Sequence, residues 1–282
     1  LRIIMYKLED IRQVHLEITQ KCQAACSMCD RNMNGGALNP HLKLDELKLE
    51  DIKKIFSPTF IKQLKAIQMC GNHGDPIIAE DTLEVLQYFR KHNPTMWLSM
   101  NTNAGARDDV WWYTLAETLG QNGRVIFSVD GLEDTNHLYR QNVQWKIVER
   151  SFHAFIEGHG KARWDFLVFD FNEHQIEEAR ATAERWGVEE FVVKKSSRFI
   201  TGHTSEKKES QDRSSVRRQQ QPSLSGGFDG NVPGDLKGVD SVVVHRELLA
   251  FLRDLVSALP EKEAELIKEK FFVGRTLTEA AR

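Results

Sequence analysis

Three cysteines, Cys22, Cys26 and Cys29, fall within one short stretch, Thr19-Gln20-Lys21-Cys22-Gln23-Ala24-Ala25-Cys26-Ser27-Met28-Cys29. Thiolate is a soft ligand that suits zinc or an iron–sulfur cluster. At this spacing on a loop, three thiolates can converge on one small metal centre. On a four-iron cube they satisfy three corners and leave one iron open. A disulfide is a poor alternative, because the group is odd in number and the remaining cysteine, Cys70, is far off in sequence. Zinc is the serious rival, with His15 or Asp30 as a fourth ligand. Zinc ribbons and fingers pair two short-spaced ligand sets, and this sequence has a single set. The spacing therefore favours a cluster.

Other stretches offer polar groups to a ligand. Gly71-Asn72-His73-Gly74-Asp75-Pro76 combines glycines, which let backbone carbonyls come close, with a carboxylate; an ammonium group would welcome both. Asn101-Thr102-Asn103 and Ser128-Val129-Asp130-Gly131 are two more. Alternation puts Ser128 and Asp130 on one face, and a buried carboxylate needs a partner. Arg140 carries a guanidinium fork that fits a carboxylate; it reads equally as a solvated charge at a helix end. Lys194 and Lys195 read as solvated strand ends, and Cys70 as a small buried residue. Trp111 and Trp112 read as helix packing.

Such stretches need elements that bring them to one place. Apolar alternation predicts strands over 14–18, 66–70, 96–100, 124–129, 162–171 and 191–194. Helical spacing predicts helices over 45–56, 80–92, 108–119, 145–157 and 173–186, with Asp108 as a cap and Gly187 as a stop. Strand and helix thus alternate across residues 13 to 195, which argues for parallel strands joined by right-handed crossovers. In such folds ligands collect at the C-terminal strand ends, where all the glycine and polar clusters fall. No Gly-x-Gly-x-x-Gly follows the first strand, so a dinucleotide site is unsupported. Periodicity leaves an open doubly wound sheet and a partial barrel as alternatives.

Cys22-x3-Cys26-x2-Cys29 after a first strand resembles the radical S-adenosylmethionine (SAM) enzymes. Met28 holds the place before the third cysteine, where an aromatic is commoner. The resemblance implies an α/β fold, a partial (β/α)6 barrel of parallel strands, for residues 1–200. It implies one 4Fe-4S cluster on Cys22, Cys26 and Cys29, with SAM chelating the open iron. Reductive cleavage of SAM then yields a 5′-deoxyadenosyl radical that abstracts hydrogen from a substrate. The glycine-rich loop is similar to the family's Gly-Gly-Glu-Pro motif, which implies Gly71, Gly74 and Asp75 near the SAM amino group. Here His73 stands at the first glycine and Asp75 replaces glutamate. Asn101, Thr102 and Asn103 resemble the stretch near the ribose, and Met28 would pack near the adenine. Ser128 and Asp130 match a stretch of peptide-modifying members, and Arg140 matches an arginine that pairs with the SAM carboxylate. SPASM and twitch-type members of this kind carry extensions whose further cysteines bind auxiliary clusters. No cysteine follows Cys70, so a single cluster is expected. The implied partners are a substrate, with peptide as the suggested class, and a one-electron reductant such as flavodoxin or ferredoxin.

Composition adds exclusions. The 282 residues carry a formal net charge of −3, which gives no electrostatic case for nucleic acid or an anionic membrane. No run approaches the about 18 apolar residues of a membrane span. Four cysteines, three of them in a ligand group, suit a reducing cytoplasm.

Residues 201–238 are polar and rich in breakers, and read as a disordered linker. Residues 239–282 are helical in pattern. From Leu255 the chain resembles a truncated fourth region of bacterial sigma factors, through Leu259-Pro260 and Phe271-Phe272-Val273-Gly274-Arg275-Thr276-Leu277. It ends at Arg282, before a recognition helix, so sequence-specific DNA binding is not expected. Two other functions stay open: a zinc-stabilised, DNA-associated regulator, and an inactive radical SAM core kept as an interaction surface.

Overall fold

A computed structural model of the chain describes residues 7–33 and 36–195. The chain divides into two compact units, Arg12–Pro222 and a second made of Leu1–Ile11 with Ser223–Arg282. Of the second unit, the described residues form one 3-10 turn, Leu8–Asp10. The expected linker, 201–238, and the helical, sigma-like segment, 239–282, lie outside the described residues, as does the end of the 1–200 core.

The larger unit has six strands among its described residues: β1 (Gln13–Leu16), β2 (Ala66–Met69), β3 (Trp97–Thr102), β4 (Gly123–Ser128), β5 (Ala162–Leu167) and β6 (Glu190–Lys194). They form one sheet in the order β1-β2-β3-β4-β5-β6, with every neighbouring pair parallel. Helices α1 (Leu49–Ile55) and α2 (Pro58–Gln63) join the first pair of strands, and α3 (Thr82–His92) and α4 (Asp109–Leu119) the next two pairs. A short α5 (Asn136–Tyr139) and α6 (Trp145–Glu157) lead to β5, and α7 (Ile176–Trp186) leads to β6.

This strand order decides between the two architectures left open by periodicity. Right-handed crossovers in a sequential order place every helix on the same side, whereas a doubly wound sheet reverses its order to cover both. Here the order never reverses, so one face is packed by helices and the other is not. In-register neighbours in a parallel pair point the same way. Ile67, Leu98 and Val125 therefore share one face with Met69, Met100 and Phe127, and all are fully buried. Against this face Trp112 of α4 tilts onto Phe127 at 5.6 Å, Phe152 of α6 stacks on Phe127 at 4.0 Å, and Trp186 of α7 stacks on Trp164 at 5.7 Å. The other face carries Gln68 beside Ser99 beside Arg124, and Ser128 beside Asp165. One side of the sheet is dry and aromatic, and the inward side is mostly polar. That is the partial barrel.

Some element boundaries differ from expectation, each for a physical reason. The helix expected over 45–56 begins only at Leu49, because Leu47 N donates to Ile18 O and Gln20 N to Asp45 O, both at 2.9 Å. Pairing with the chain after β1 removes these residues from helix formation. Ile55 is 57% exposed, and Ile52 and Phe56 are the buried positions. On α3 the inward residues are Val85, Leu86 and Phe89, with Leu83 half-buried. The strand expected over 162–171 stops at Leu167, where Asn172 Nδ2 donates to the Leu167 carbonyl and Asn172 Oδ1 accepts from Phe169 N. The helix over 145–157 stands as expected. The one expected over 173–186 opens with a 3-10 turn, Glu173–Gln175, and is α-helical from Ile176 to Trp186, with Gly187 in the left-handed conformation at φ 79°.

Candidate metal and cofactor site

The cysteine loop leaves the sheet after β1 and is held on three sides. Thr19 and Glu46 form an isolated antiparallel bridge. Lys21 O accepts from Asp75 N at 2.9 Å, and Lys21 Nζ bonds Glu46 at 3.0 Å. At Gly74 a Cβ would stand 1.9 Å from the Thr19 carbonyl oxygen. At Gly105 it would meet Gln23 Nε2 at 2.5 Å. Glycine at these two positions lets the loops after β2 and β3 press against the cysteine loop. Gly71 serves the turn itself, since its Cβ would meet the Gly74 carbonyl at 2.4 Å.

Within the loop, Cys29 N donates to Cys26 O at 3.1 Å, closing a tight turn that contains Met28, itself half-buried. Cys26 is buried, and Cys22 and Cys29 are half-buried. Burial first, and the Asp75 charge next, push the Cys22 thiol up to about 12. Burial also raises Cys26, against the lowering effect of Arg140. Cys22 feels the charge of Cys26, and Cys26 that of Cys29. The three thiols thus share one electrostatic neighbourhood.

The rim residues converge on it. Asp75 is buried, and its two oxygens accept from Ile77 N at 3.1 Å and Asn103 N at 2.8 Å. Burial raises its pKa, with those amide bonds opposing. Its observed work is to tie the β2 loop to the β3 loop. Asn103 Nδ2 lies 3.5 Å from Cys22 Sγ, while its Oδ1 accepts from Gln23 Nε2 at 2.5 Å and Gly105 N at 2.8 Å. Thr102 Oγ1 accepts from Ala104 N, which closes the same turn. Asn101 faces inward and accepts from Gln68, whose own amide oxygen accepts from Ser99. Ser128 ends β4 on the inward face, half-buried.

Asp130 is 1% exposed and finds the partner a buried carboxylate requires. Its Oδ2 accepts from Arg140 Nε at 2.7 Å, and its Oδ1 from Leu167 N at 2.8 Å. Burial raises Asp130, and the Arg140 charge opposes. Arg140 is therefore no solvated helix end. Burial works to lower it, but the Asp130 charge prevails and drives it upward. With Nε committed to Asp130, Nη1 stands 3.8 Å from Cys26 Sγ.

The residues expected to hold a cofactor fall around one loop system, with Asn101 and Ser128 just below it. His15 and Asp30, the candidate fourth zinc ligands, are elsewhere engaged or exposed. His15 Nε2 sits 2.5 Å from Cys70 O, and Asp30 is exposed. Among the described residues, no three His, Cys, Asp or Glu side chains are grouped tightly enough to hold one metal ion. Among the described residues, two buried polar atoms here lack partners, Ser27 Oγ inside the loop and Asn136 Nδ2 beside Asp130. The donor set and these unmet atoms fit a cluster with a polar ligand above it.

Sequence reasoning passed over Gln23, whose amide links the cysteine loop to Asn103, and the inward Gln68, Ser99, Arg163 and Asp165. The signal was present: polar residues alternate within strands 97–102 and 162–167.

No family model matches the chain. Over 157 residues it is 25% identical to the FeMo cofactor biosynthesis protein NifB of Methanocaldococcus jannaschii, a match that takes in 54% of this chain and 50% of that protein. The chain thus spans about half the length of the curated relative it matches. Its fold is similar to that of Streptococcus suis SuiB bound to S-adenosylmethionine, with a TM-score of 0.55 and 13% identity over 88% of this chain and 48% of that one. It is also similar to native anSMEcpe with bound AdoMet and Kp18Cys peptide, with a TM-score of 0.54 and 14% identity over 93% of this chain and 61% of that one.

Proposed function

We propose that this chain is a radical SAM enzyme whose core holds a single 4Fe-4S cluster on Cys22, Cys26 and Cys29. The observation that carries this reading is the meeting of the three-cysteine loop with the Asp75–Asn103 and Asp130–Arg140 pairs at the C-terminal rim of a parallel half-barrel. When bound and reduced, cluster and SAM would supply a 5′-deoxyadenosyl radical that removes hydrogen from a substrate. The chain's own residues position and shield. Asn103 and Arg140 place N–H donors beside Cys22 and Cys26, which suits sulfur that carries negative charge. Asp130 orients Arg140 so that its Nη edge is offered to a carboxylate, here that of SAM. Asp75 holds the two glycine-bearing loops in place, and the polar inward face below the rim is where we place the substrate.

A peptide is the substrate class we favour, on the strength of the peptide-bound structure of similar fold. A flavodoxin or ferredoxin is the reductant class, and a reducing cytoplasm the setting. The zinc-based regulator is the alternative reading, and the metal that the purified protein carries separates the two.

The test is anaerobic. Purified protein should be brown, contain iron and sulfide for one cluster per chain, and release 5′-deoxyadenosine from SAM on reduction. Colourless protein with stoichiometric zinc would overturn the proposal, and two clusters per chain would overturn its single-cluster part.

A further inference from the structure

Below the rim, the inward face of β3–β6 carries a connected set of charges that the site above leaves unused. Glu190 accepts from Arg124 Nη1 at 2.7 Å and faces Arg163 Nη1 at 3.8 Å. Asp165 pairs with Arg163 Nε at 2.6 Å and with Lys194 Nζ at 2.7 Å. Among the described residues, three cations thus share two carboxylates on this half of the wall, and Arg163 has a further interaction besides these. Glu17, after β1 on the other half, is engaged by Asn72. Among the described residues, two donors in the same wall have no acceptor: Trp97 Nε1 and Arg124 Nε. The Arg124 guanidinium lies 5.4 Å from the centre of the Trp97 ring, so these unmet groups are neighbours.

Both deficits have one sign. The unpaired groups are N–H donors, and among the described residues the cations of this wall outnumber its carboxylates. A buried donor without an acceptor is costly, and the chemistry that answers it is an oxyanion. A carboxylate presents about four lone-pair sites and pairs bidentately with guanidinium. Glu190 already shows the geometry, because its own carboxylate stands between two arginines. Its side chain is 44% exposed, against 20% for Arg124 and 10% for Arg163. The acidic group is therefore the most exposed member and the two arginines are the more buried ones.

We propose that Arg124 and Arg163, with Trp97, form a subsite for a carboxylate carried by the substrate, and that Glu190 occupies it until the substrate arrives. The subsite lies toward the N-terminal ends of the strands, so the recognised carboxylate is remote from the reacting carbon. Remote contacts of this kind supply binding energy for positioning. The inference rests on the inward face being the substrate side of a radical SAM enzyme, but its test needs neither iron nor SAM.

The test is calorimetric titration of the full chain with glutarate, glutaramide and 1,5-diaminopentane. Capped Gly-Glu-Gly and Gly-Gln-Gly tripeptides are two further probes. Glutarate or the glutamate tripeptide should bind, and their amides should bind about tenfold more weakly. Tighter binding of the tripeptide assigns the carboxylate to a peptide, and tighter binding of glutarate to a small acid. Arg124→Gln should weaken binding about tenfold, and Glu190→Gln, which removes the competing anion, should tighten it severalfold. Equal binding of acid and amide, preference for the diamine, or unchanged affinity in Glu190→Gln would overturn the subsite. Iron-free protein that shows the acid preference keeps the subsite and counts only against the radical chemistry. Protein that cleaves SAM without that preference does the reverse.

Discussion

Arg140 and Asp130 show how much one pair can fix. Asp130 is almost wholly buried, and Arg140 supplies its compensating charge. Removing one partner of a buried pair leaves the other uncompensated. Arg140→Met should therefore destabilise the fold by about 3 kcal/mol, as read by the urea midpoint; an unchanged midpoint would show that water screens the pair. Gly74 makes a different demand. A methyl group placed 1.9 Å from the Thr19 carbonyl must push two loops apart. Gly74→Ala should cost about 3 kcal/mol and lower the iron retained per chain, both measurable on purified protein. The cysteine loop was legible in the sequence as three thiols close together in the chain, and the structure keeps them in one electrostatic neighbourhood. The bond from Asn103 to Asp75 was not, because a carboxylate aimed at a backbone amide leaves no pattern in the residues around it. The contact of Arg124 with Glu190 crosses 66 positions, and no local rule reaches that far.

Among the elements, α3 and α4 depend on one side chain. Arg90 donates to the carbonyls of Pro94, Met96, Thr118, Leu119 and Asn122, and so satisfies the C-terminal end of α4 and the turn before β3. Helix ends leave such carbonyls without internal partners. Arg90→Met should cost on the order of 3 kcal/mol and speed amide exchange at the start of β3 and β4, as seen by hydrogen exchange. Glu46 does similar work for the cysteine loop. Burial would raise its pKa, but Lys48, the Glu80 amide and Lys21 outweigh it and hold it at about 2, against an ordinary 4.5. A carboxylate depressed on folding stabilises fully above its unfolded pKa, and that contribution fades as pH falls through the folded one. Glu46→Gln should thus flatten the loss of stability between pH 4.5 and about 2, as followed by thermal melts. Helix α6 was legible to the residue because Val148, Phe152 and Phe155 recur at helical spacing and Gly158 follows. The helix expected over 45–56 was not, because its first residues pair with the chain after β1 and Ser57-Pro58 begins a new helix.

At the scale of the molecule, alternation of strand and helix announced the parallel sheet, but not which way it curled. That followed from strand order, a property of crossovers and not of any one segment. Arg12–Pro222 is one compact unit, and a chain cut to those bounds should unfold in a single transition, with fluorescence and circular dichroism curves that coincide. Separate curves would show that the core needs the rest of the chain. The two faces of the sheet have a further consequence. Structural integrity resides in the aromatic layer beneath the helices, while under the proposed function recognition would fall to the reverse side of the same strands, at alternate positions. Natural selection could therefore exchange the inward letters, such as Ser99, Arg124 or Asp165, and retarget the chamber while its foundation stayed untouched.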